Sequence, residues 1–371
     1  MELRPVRNWQ VFYRMKETVV VALSGGVDSS AAAVLALRAG REVVGATLRL
    51  RHPDPAFAAS RFCASEEDER AVEQLCSQLG IRHVCLDRFP EFSERVLRPA
   101  ALAYSTGLTP NPCCECNPAV KFGELLRFAD EIGAAKLLTG HYASIESDGE
   151  RLRIRRGADP VKDQSYFLFR LTQKELARIE FPVGGLAKAE VRALAAEYGL
   201  ATSRKPDSQD ACFLIPGECF GETLRRLCAL PERPGRFLYR GRTVGRHNGI
   251  HRYTIGQRKG LNVALGVPAY ISRIDPESGD ITLVTDPAEL ECRSFRVDRI
   301  NWQYRMPHPG EKVEVQIRYR SAPVPARVEL LPDHTAAVFP DHPLRAVTPG
   351  QAAVFYLGPI LLGGGTIRYA D

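Results

Sequence analysis

The stretch Val19–Ser30, VVVALSGGVDSS, constrains the fold more than any other part of the chain. Val19, Val20, Val21 and Leu23 make a short, mostly β-branched run suited to a strand buried on both faces. Ser24, Gly25 and Gly26 supply a turn whose glycines let the main chain come close to a ligand. Asp28, Ser29 and Ser30 then open an Ala/Leu-rich helix that stops at Gly40. A strand, a glycine turn and a helix N-terminus gather unpaired N–H groups and a positive dipole end at one point. That is an anion site, and phosphate suits it. No GK[ST] follows the glycines, so the loop is not of the Walker-A kind.

Downstream, the strand–helix alternation continues. Glu42–Leu50 reads as a strand, Ser65–Leu79 as a helix with Ser65 as N-cap, Arg82–Asp87 as a third strand and Lys136–Tyr142 as a fourth. Such alternation predicts a parallel sheet, with ligands beyond the carboxyl ends of its strands. Pro90–Gly107 reads as helical, and Thr109-Pro110-Asn111-Pro112 forces an extended path. Cys113, Cys114 and Cys116 follow, directly ahead of a helix predicted over Val120–Ile132. A thiol at a helix entrance has its pKa lowered by the dipole, and Lys121 adds to the effect.

From Arg151 the pattern turns to short β-like pieces, and Glu175–Leu200 supplies two helical segments split by FPVGGL. Gly-punctuated segments then suggest a small β-rich module. After Gly279, alternating stretches such as KVEVQIRY and QAAVFYL suggest an antiparallel barrel or sandwich. The expected architecture is therefore an α/β parallel-sheet domain over 18–215, a basic β-rich central domain over 216–280 and a C-terminal β-barrel over 281–371.

The chain is soluble in character: 44% of its 371 residues are hydrophobic and 25% charged. No apolar run approaches the roughly 20 residues of a membrane span, and the N-terminus lacks the pattern of a secretory signal. A cytoplasmic protein with no membrane partner is expected, its ten cysteines reduced. Cys76, Cys85 and Cys228 fall in apolar patterns and read as core residues. Net charge is only +6, yet Arg225–Lys259 holds nine arginines and one lysine against the single acid Glu232, with His247 and His251 inside the run. Such an imbalance points to a polyanion partner.

The SGGVDSS string resembles the pyrophosphate loop of the PP-loop ATPases, which cleave ATP between the α and β phosphates. With TPNPCCECNPAVKFGELL, TGHYA, KDQSYFL, SQDACF, HNGIHRYTIGQRKGL and IRYR, in that order, the chain closely resembles the tRNA-specific 2-thiouridylase family. The resemblance implies adenylation of the C2 oxygen of a wobble uridine with ATP and Mg²⁺. Sulfur brought as a persulfide by a sulfur-relay protein then replaces that oxygen. It implies ATP contacts from Ala22, Leu23, Ser24, Gly25, Gly26, Val27, Asp28 and Ser29, with Leu48 and Gly140 against the nucleotide. Asp28 would position the magnesium-bound pyrophosphate, Cys116 would be the nucleophile-type cysteine and Cys212 the persulfide acceptor. Asn111, Pro112 and Cys113 fall where the family contacts the target base. His141, Lys162, Asp163, Gln164, Arg318, Tyr319 and Gln351 fall at its tRNA-contacting positions.

Three features depart from the family. Cys113 stands where some members carry an acid, and with Cys116 and Cys212 it makes three thiolates, enough for an iron–sulfur cluster with one open iron. A persulfide and disulfide cycle without metal is the favoured reading, the cluster the alternative. Cys63 stands alone where many members have a pair, and the extension before Val19 has no counterpart. Two other functions compete: a PP-loop ligase or amidase on a small molecule, and a non-catalytic RNA or sulfur-carrier binding protein. The first leaves the basic run without a purpose, and the second sits poorly with an intact loop and both cysteines.

Overall fold

The computed structural model describes residues 17–54, 57, 66–207 and 211–368. Its first sheet is wholly parallel, in the order Arg82–Asp87, Glu42–Arg49, Thr18–Ala22, Lys136–Leu138, Ile179–Glu180. Val19, Val20 and Val21 are fully buried. Val20 faces one core, and Val19 and Val21 face the other, as a strand covered on both sides requires. The sheet grows first to one side of Thr18–Ala22 and then to the other, so the crevice of such a fold lies at the carboxyl ends of Thr18–Ala22 and Lys136–Leu138. The helix Val27–Arg38 packs against the sheet through a small-residue face, Ala31, Ala32 and Ala33 being fully buried.

Several local expectations are corrected. The cysteine helix starts at Pro112 rather than at Val120, because Asn111 caps it by accepting the Cys113 N–H at 3.2 Å and Pro112 takes the first helical position. It runs over Pro112–Cys116, widens into a π turn at Asn117–Phe122 and resumes over Gly123–Glu131. Pro118 has no N–H to give an ordinary turn, and the wide turn accommodates it. The cysteines thus stand inside the helix, not ahead of it. Within Glu175–Leu200, Ile179–Glu180 is a strand, where pairing beside Lys136–Leu138 overrides helical propensity. Cys85 is exposed and Cys228 half-buried, and of the three only Cys76 is a core thiol. Ser65, Cys63 and the extension before residue 17 lie outside the described residues.

The hairpin Ala143–Ser147 and Leu152–Arg156 leaves the first sheet and joins the C-terminal one. Arg155 pairs with Ile360, and the Arg156 N–H donates to the Pro359 carbonyl at 2.9 Å. That C-terminal sheet closes as a six-stranded antiparallel barrel when Phe295–Asn301 pairs with Ile360–Ile367. Closure needs glycine at the seam: a Cβ at Gly363 would stand 2.3 Å from the Asn301 carbonyl oxygen. Ala352, Val354, Tyr356 and Leu361 of the barrel share one core with Ile154, Tyr166 and the cysteine helix.

The central domain holds a four-stranded sheet, Tyr270–Ile274, Ile281–Val284, Gly235–Tyr239 and Arg242–His247. His247 and His251 are buried in or beneath it, not displayed among the basic residues. Four arginines of the basic run are paired within the chain, two of them, Arg226 and Arg236, at the exposed surface. Arg225 and Arg252 pair with Glu222, Arg226 with Glu218 and Arg236 with Asp280, all acids outside the run. Arg240, Arg242, Arg246, Arg258 and Lys259 remain exposed.

Candidate active site

A cavity of about 230 Å³ opens at the carboxyl ends of Thr18–Ala22 and Lys136–Leu138. One wall is the loop after the first strand, with Ala22, Leu23, Ser24, Asp28 and Ser29, together with Thr47 and Leu48 from the neighbouring strand. The facing wall is Lys121, Phe122 and Leu125 of the cysteine helix, and Thr139, Gly140, His141 and Gln164 complete it. A larger cavity, about 490 Å³, lies at the other end of the sheet around Ala39, Arg41 and Lys136, away from this loop.

The loop is built for close approach. Gly25 has φ +72°, a conformation that side-chain-bearing residues rarely adopt. The Ser29 and Ser30 hydroxyls donate to the Gly26 carbonyl at 2.9 and 3.0 Å, while no side chain caps the N-terminus of Val27–Arg38. Its first N–H groups are thereby left for an anion. Gly140 presses on the same turn, and a Cβ there would stand 2.6 Å from the Asp28 carbonyl carbon and 2.7 Å from the Ser29 nitrogen.

Asp28 lies at the centre of a ladder of charges. Its carboxylate accepts the Tyr142 hydroxyl at 2.7 Å and Lys188 Nζ at 2.7 and 2.9 Å. The same ammonium lies 3.0 Å from Asp207, which also takes Arg192 at 2.7 Å and Lys162 at 2.7 Å. Burial pushes the Asp207 carboxyl up, but the ammonium groups of Lys162 and Lys188 outweigh it and hold the pKa at about 2. Burial, then the bond to Asp28, raises the Tyr142 phenol far above its usual range. This ladder escaped the sequence reading. Its one signal was the i, i+4 spacing of Lys188 and Arg192 at the head of a helix.

Of the cysteines, Cys116 and Cys114 are buried in the core that the cysteine helix shares with the barrel, and burial pushes the Cys114 thiol well up. Cys113 is half-buried in the first turn. Cys212 packs against the same core from its partly exposed position. Cys116 and Cys212 therefore border one apolar cluster. Among the described residues, no group of three His, Cys, Asp or Glu side chains is gathered to hold a metal ion, so Cys113, Cys116 and Cys212 do not form a cluster site here. Glu115, between Cys114 and Cys116, is tied at 2.9 Å to Arg170 and at 3.3 Å to Arg299 of the barrel.

The residues expected at RNA contacts divide. Asp163 is consumed internally, accepting from Arg156, Ser165 and the Gly157 N–H. Lys162 belongs to the ladder, and Gln164 and His141 line the cavity. Burial, with Lys121 nearby, lowers His141 to about 3, so it stands neutral beside the Thr139 hydroxyl at 2.7 Å. Asn111 and Pro112 start the cysteine helix. Tyr319 packs with its ring tilted 43° to that of Phe167, centroids 4.4 Å apart, and the Arg318 guanidinium reaches the Ala346 carbonyl and, at 3.2 Å, the Thr348 hydroxyl. Gln351 is half-buried where the barrel's last strand returns, its carbonyl accepting the Ile367 N–H at 2.8 Å.

Three family models match the chain in order. A "tRNA methyl transferase HUP domain" covers residues 17–216, a "tRNA methyl transferase PRC-barrel domain" 228–285 and an "Aminomethyltransferase beta-barrel domain" 292–367. A tRNA-specific 2-thiouridylase MnmA of Heliobacterium modesticaldum is 43% identical, over 95% of this chain and 93% of its own. The proteins of the same name from Roseiflexus castenholzii and Rickettsia felis are 41% and 39% identical, over 94% and 95% of this chain and 98% and 97% of theirs. A 4-thiouridine synthetase solved with RNA and bound ATP is 19% identical over 57% of this chain and 50% of that one, at a TM-score of 0.35. Among the described residues no helix is long and apolar enough to cross a membrane.

Proposed function

The chain belongs to the tRNA-specific 2-thiouridylase family, and from that membership we propose that it is an ATP-dependent tRNA-uridine sulfurtransferase working through Cys116 and Cys212. One observation carries the reading: the helix bearing Cys116 forms the wall opposite the Ser24–Ser29 loop in a single cavity. The helix that walls the loop's cavity thus also carries a thiol, Cys116, which lies in the adjoining core and not among the lining residues. The family models and the relatives carry names that differ over the group transferred, methyl or sulfur, and two cysteines bordering one core favour sulfur.

ATP is a substrate, its phosphates at the loop and its base against Leu48 and Gly140. The C2 oxygen of the uridine attacks the α phosphorus, and pyrophosphate leaves. The outer sulfur of a Cys212 persulfide adds to C2, and AMP departs with the former oxygen. The Cys116 thiolate then attacks the Cys212 sulfur, breaking the S–S bond so that the new sulfur stays on the base. A Cys116–Cys212 disulfide remains, and a thiol reductant returns both cysteines.

Mg²⁺ is commonly held by one or two carboxylates plus substrate phosphates, and Asp28 at the loop fits the protein share. When bound it neutralises charge on the departing pyrophosphate. Among the described residues no three His, Cys, Asp or Glu side chains gather to hold a metal ion, and the cycle proposed here uses Cys116 and Cys212 without a cluster. The partners are tRNA, met in part by the exposed arginines of the central domain, and a protein that carries sulfur as a persulfide. The cytoplasm is the expected compartment. The test is incubation with unmodified tRNA, ATP, Mg²⁺ and a persulfide donor, followed by nucleoside mass spectrometry. One 2-thiouridine per AMP released is expected, and AMP release driven by a small carboxylate without tRNA would overturn the reading.

A further inference from the structure

Lys188 is the first residue of the helix Lys188–Glu197 and lies outside every motif of the phosphate loop. Its side chain is largely enclosed, at 13% exposure, and its ammonium touches two carboxylates at once, Asp28 at 2.7 Å and Asp207 at 3.0 Å. An enclosed ammonium with a single carboxylate would already be satisfied in charge. The second carboxylate needs cations of its own, which Lys162 and Arg192 supply. The arrangement therefore reads as a bridge between two elements rather than as a simple ion pair. On one side is the turn that opens the phosphate-binding helix. On the other is the strip Lys205–Asp207, which seats on the same turn a second time through Lys205, whose Nζ donates to the Gly25 carbonyl at 3.0 Å and to Asp68.

The bridge holds Asp28 from two directions. The Tyr142 hydroxyl fixes one carboxylate oxygen at 2.7 Å, and Lys188 grips both oxygens. Tyr142 and Lys188 also approach each other, ammonium to ring, at 5.7 Å. The helix is itself pinned where Lys188 begins it, because the Lys188 N–H donates to Asp159 at 3.1 Å. A carboxylate set in this way keeps one orientation before any phosphate arrives, and preorganisation of that kind is what in-line phosphoryl chemistry rewards.

We propose that Lys188 is a positioning residue of the adenylation half-reaction: it acts through Asp28, holding that carboxylate at the phosphate loop and anchoring it to Asp207. The proposal rests on the sulfurtransferase reading above and extends it to a residue outside the loop.

The experiment measures tRNA-dependent AMP release against ATP concentration for the full chain, as wild type, K188M, K188R and D207N, with thermal melting of each. K188M is expected to lose on the order of a hundredfold in kcat, with KM for ATP moved by less than about threefold. K188R, which keeps a cation within reach of both carboxylates, is expected to recover about a tenth of the wild-type rate or more. D207N removes only the far anchor and is expected to cost roughly tenfold in kcat. A K188M rate equal to wild type overturns the proposal, as does a loss confined to KM. If K188M fails to fold, D207N decides: a rate within about twofold of wild type overturns the anchor role. A wild-type enzyme that releases no AMP with tRNA brings down the functional reading itself, an outcome separate from any difference among the variants.

Discussion

Arg299 of the barrel reaches into the catalytic domain and meets Glu115, the residue between Cys114 and Cys116, at 3.3 Å. Arg170 holds the same carboxylate from the buried side at 2.9 Å, its side chain only 13% exposed against 62% for Arg299. The two contacts therefore differ in weight. Glu115→Gln leaves the buried Arg170 without its countercharge and is expected to cost about 2 kcal/mol of stability. Arg299→Ala removes a solvent-screened contact and is expected to cost less than about 0.5 kcal/mol. Chemical denaturation of both variants checks the contrast, and equal losses would contradict it.

Cys116→Ser and Cys212→Ser are each expected to abolish 2-thiouridine formation while tRNA binding survives. Both side chains border a shared core rather than the exposed basic surface, so binding has no reason to follow them. Nucleoside mass spectrometry and filter binding on the same preparations decide the matter. Thiolated product from either variant would remove the assigned roles.

Gly140→Ala should damage the phosphate loop directly. The new methyl would meet main-chain atoms of Asp28 and Ser29 at 2.6 and 2.7 Å, and backbone in the first turn of a packed helix cannot yield cheaply. ATP affinity is expected to fall by about a hundredfold through displacement of the loop. Calorimetric titration with ATP measures it, and unchanged binding would mean that the loop is looser than its packing implies.

Acidification should weaken the fold through His141. Its pKa falls from 6.5 in the exposed state to about 3 in the folded one, chiefly by burial. Between those values the unfolded chain binds the proton and the folded chain does not. The stability it contributes is therefore complete above pH 6.5 and drains away as pH falls towards 3, by up to ~1.4 kcal/mol per unit. His141→Gln, which can still meet the Thr139 hydroxyl, should flatten that part of the profile. Urea denaturation across this pH range, wild type against variant, gives the difference directly. Parallel profiles would show that His141 titrates normally.

Much of this was legible beforehand because it is local. Val19–Val21, the glycine turn and the small residues of Val27–Arg38 specify a buried strand and a close-packed helix within one stretch. Asn111-Pro112 carried the signal for an earlier helix start, an N-cap followed by proline at the first position, yet the paired prolines read as a break. What stayed hidden is non-local. Nothing near Lys188 in sequence points to Asp28, and the acids that pair with Arg226 and Arg236, Glu218 and Asp280, lie outside the basic run. The place of His141, among Phe122 and Phe181 at the loop's cavity, is likewise set by contacts far along the chain.

The hairpin that leaves the first sheet to pair with Ile360 makes the barrel a poor candidate for removal or exchange. A chain cut after the catalytic segment would expose a strand edge and strip Tyr166 and Ile154 of the barrel residues in their core, among them Val354, Tyr356 and Leu361. The boundaries between segments along the sequence are therefore not seams in space. Inheritance must carry both ends of this protein together, and a grafted barrel would have to bring complementary strand edges with it.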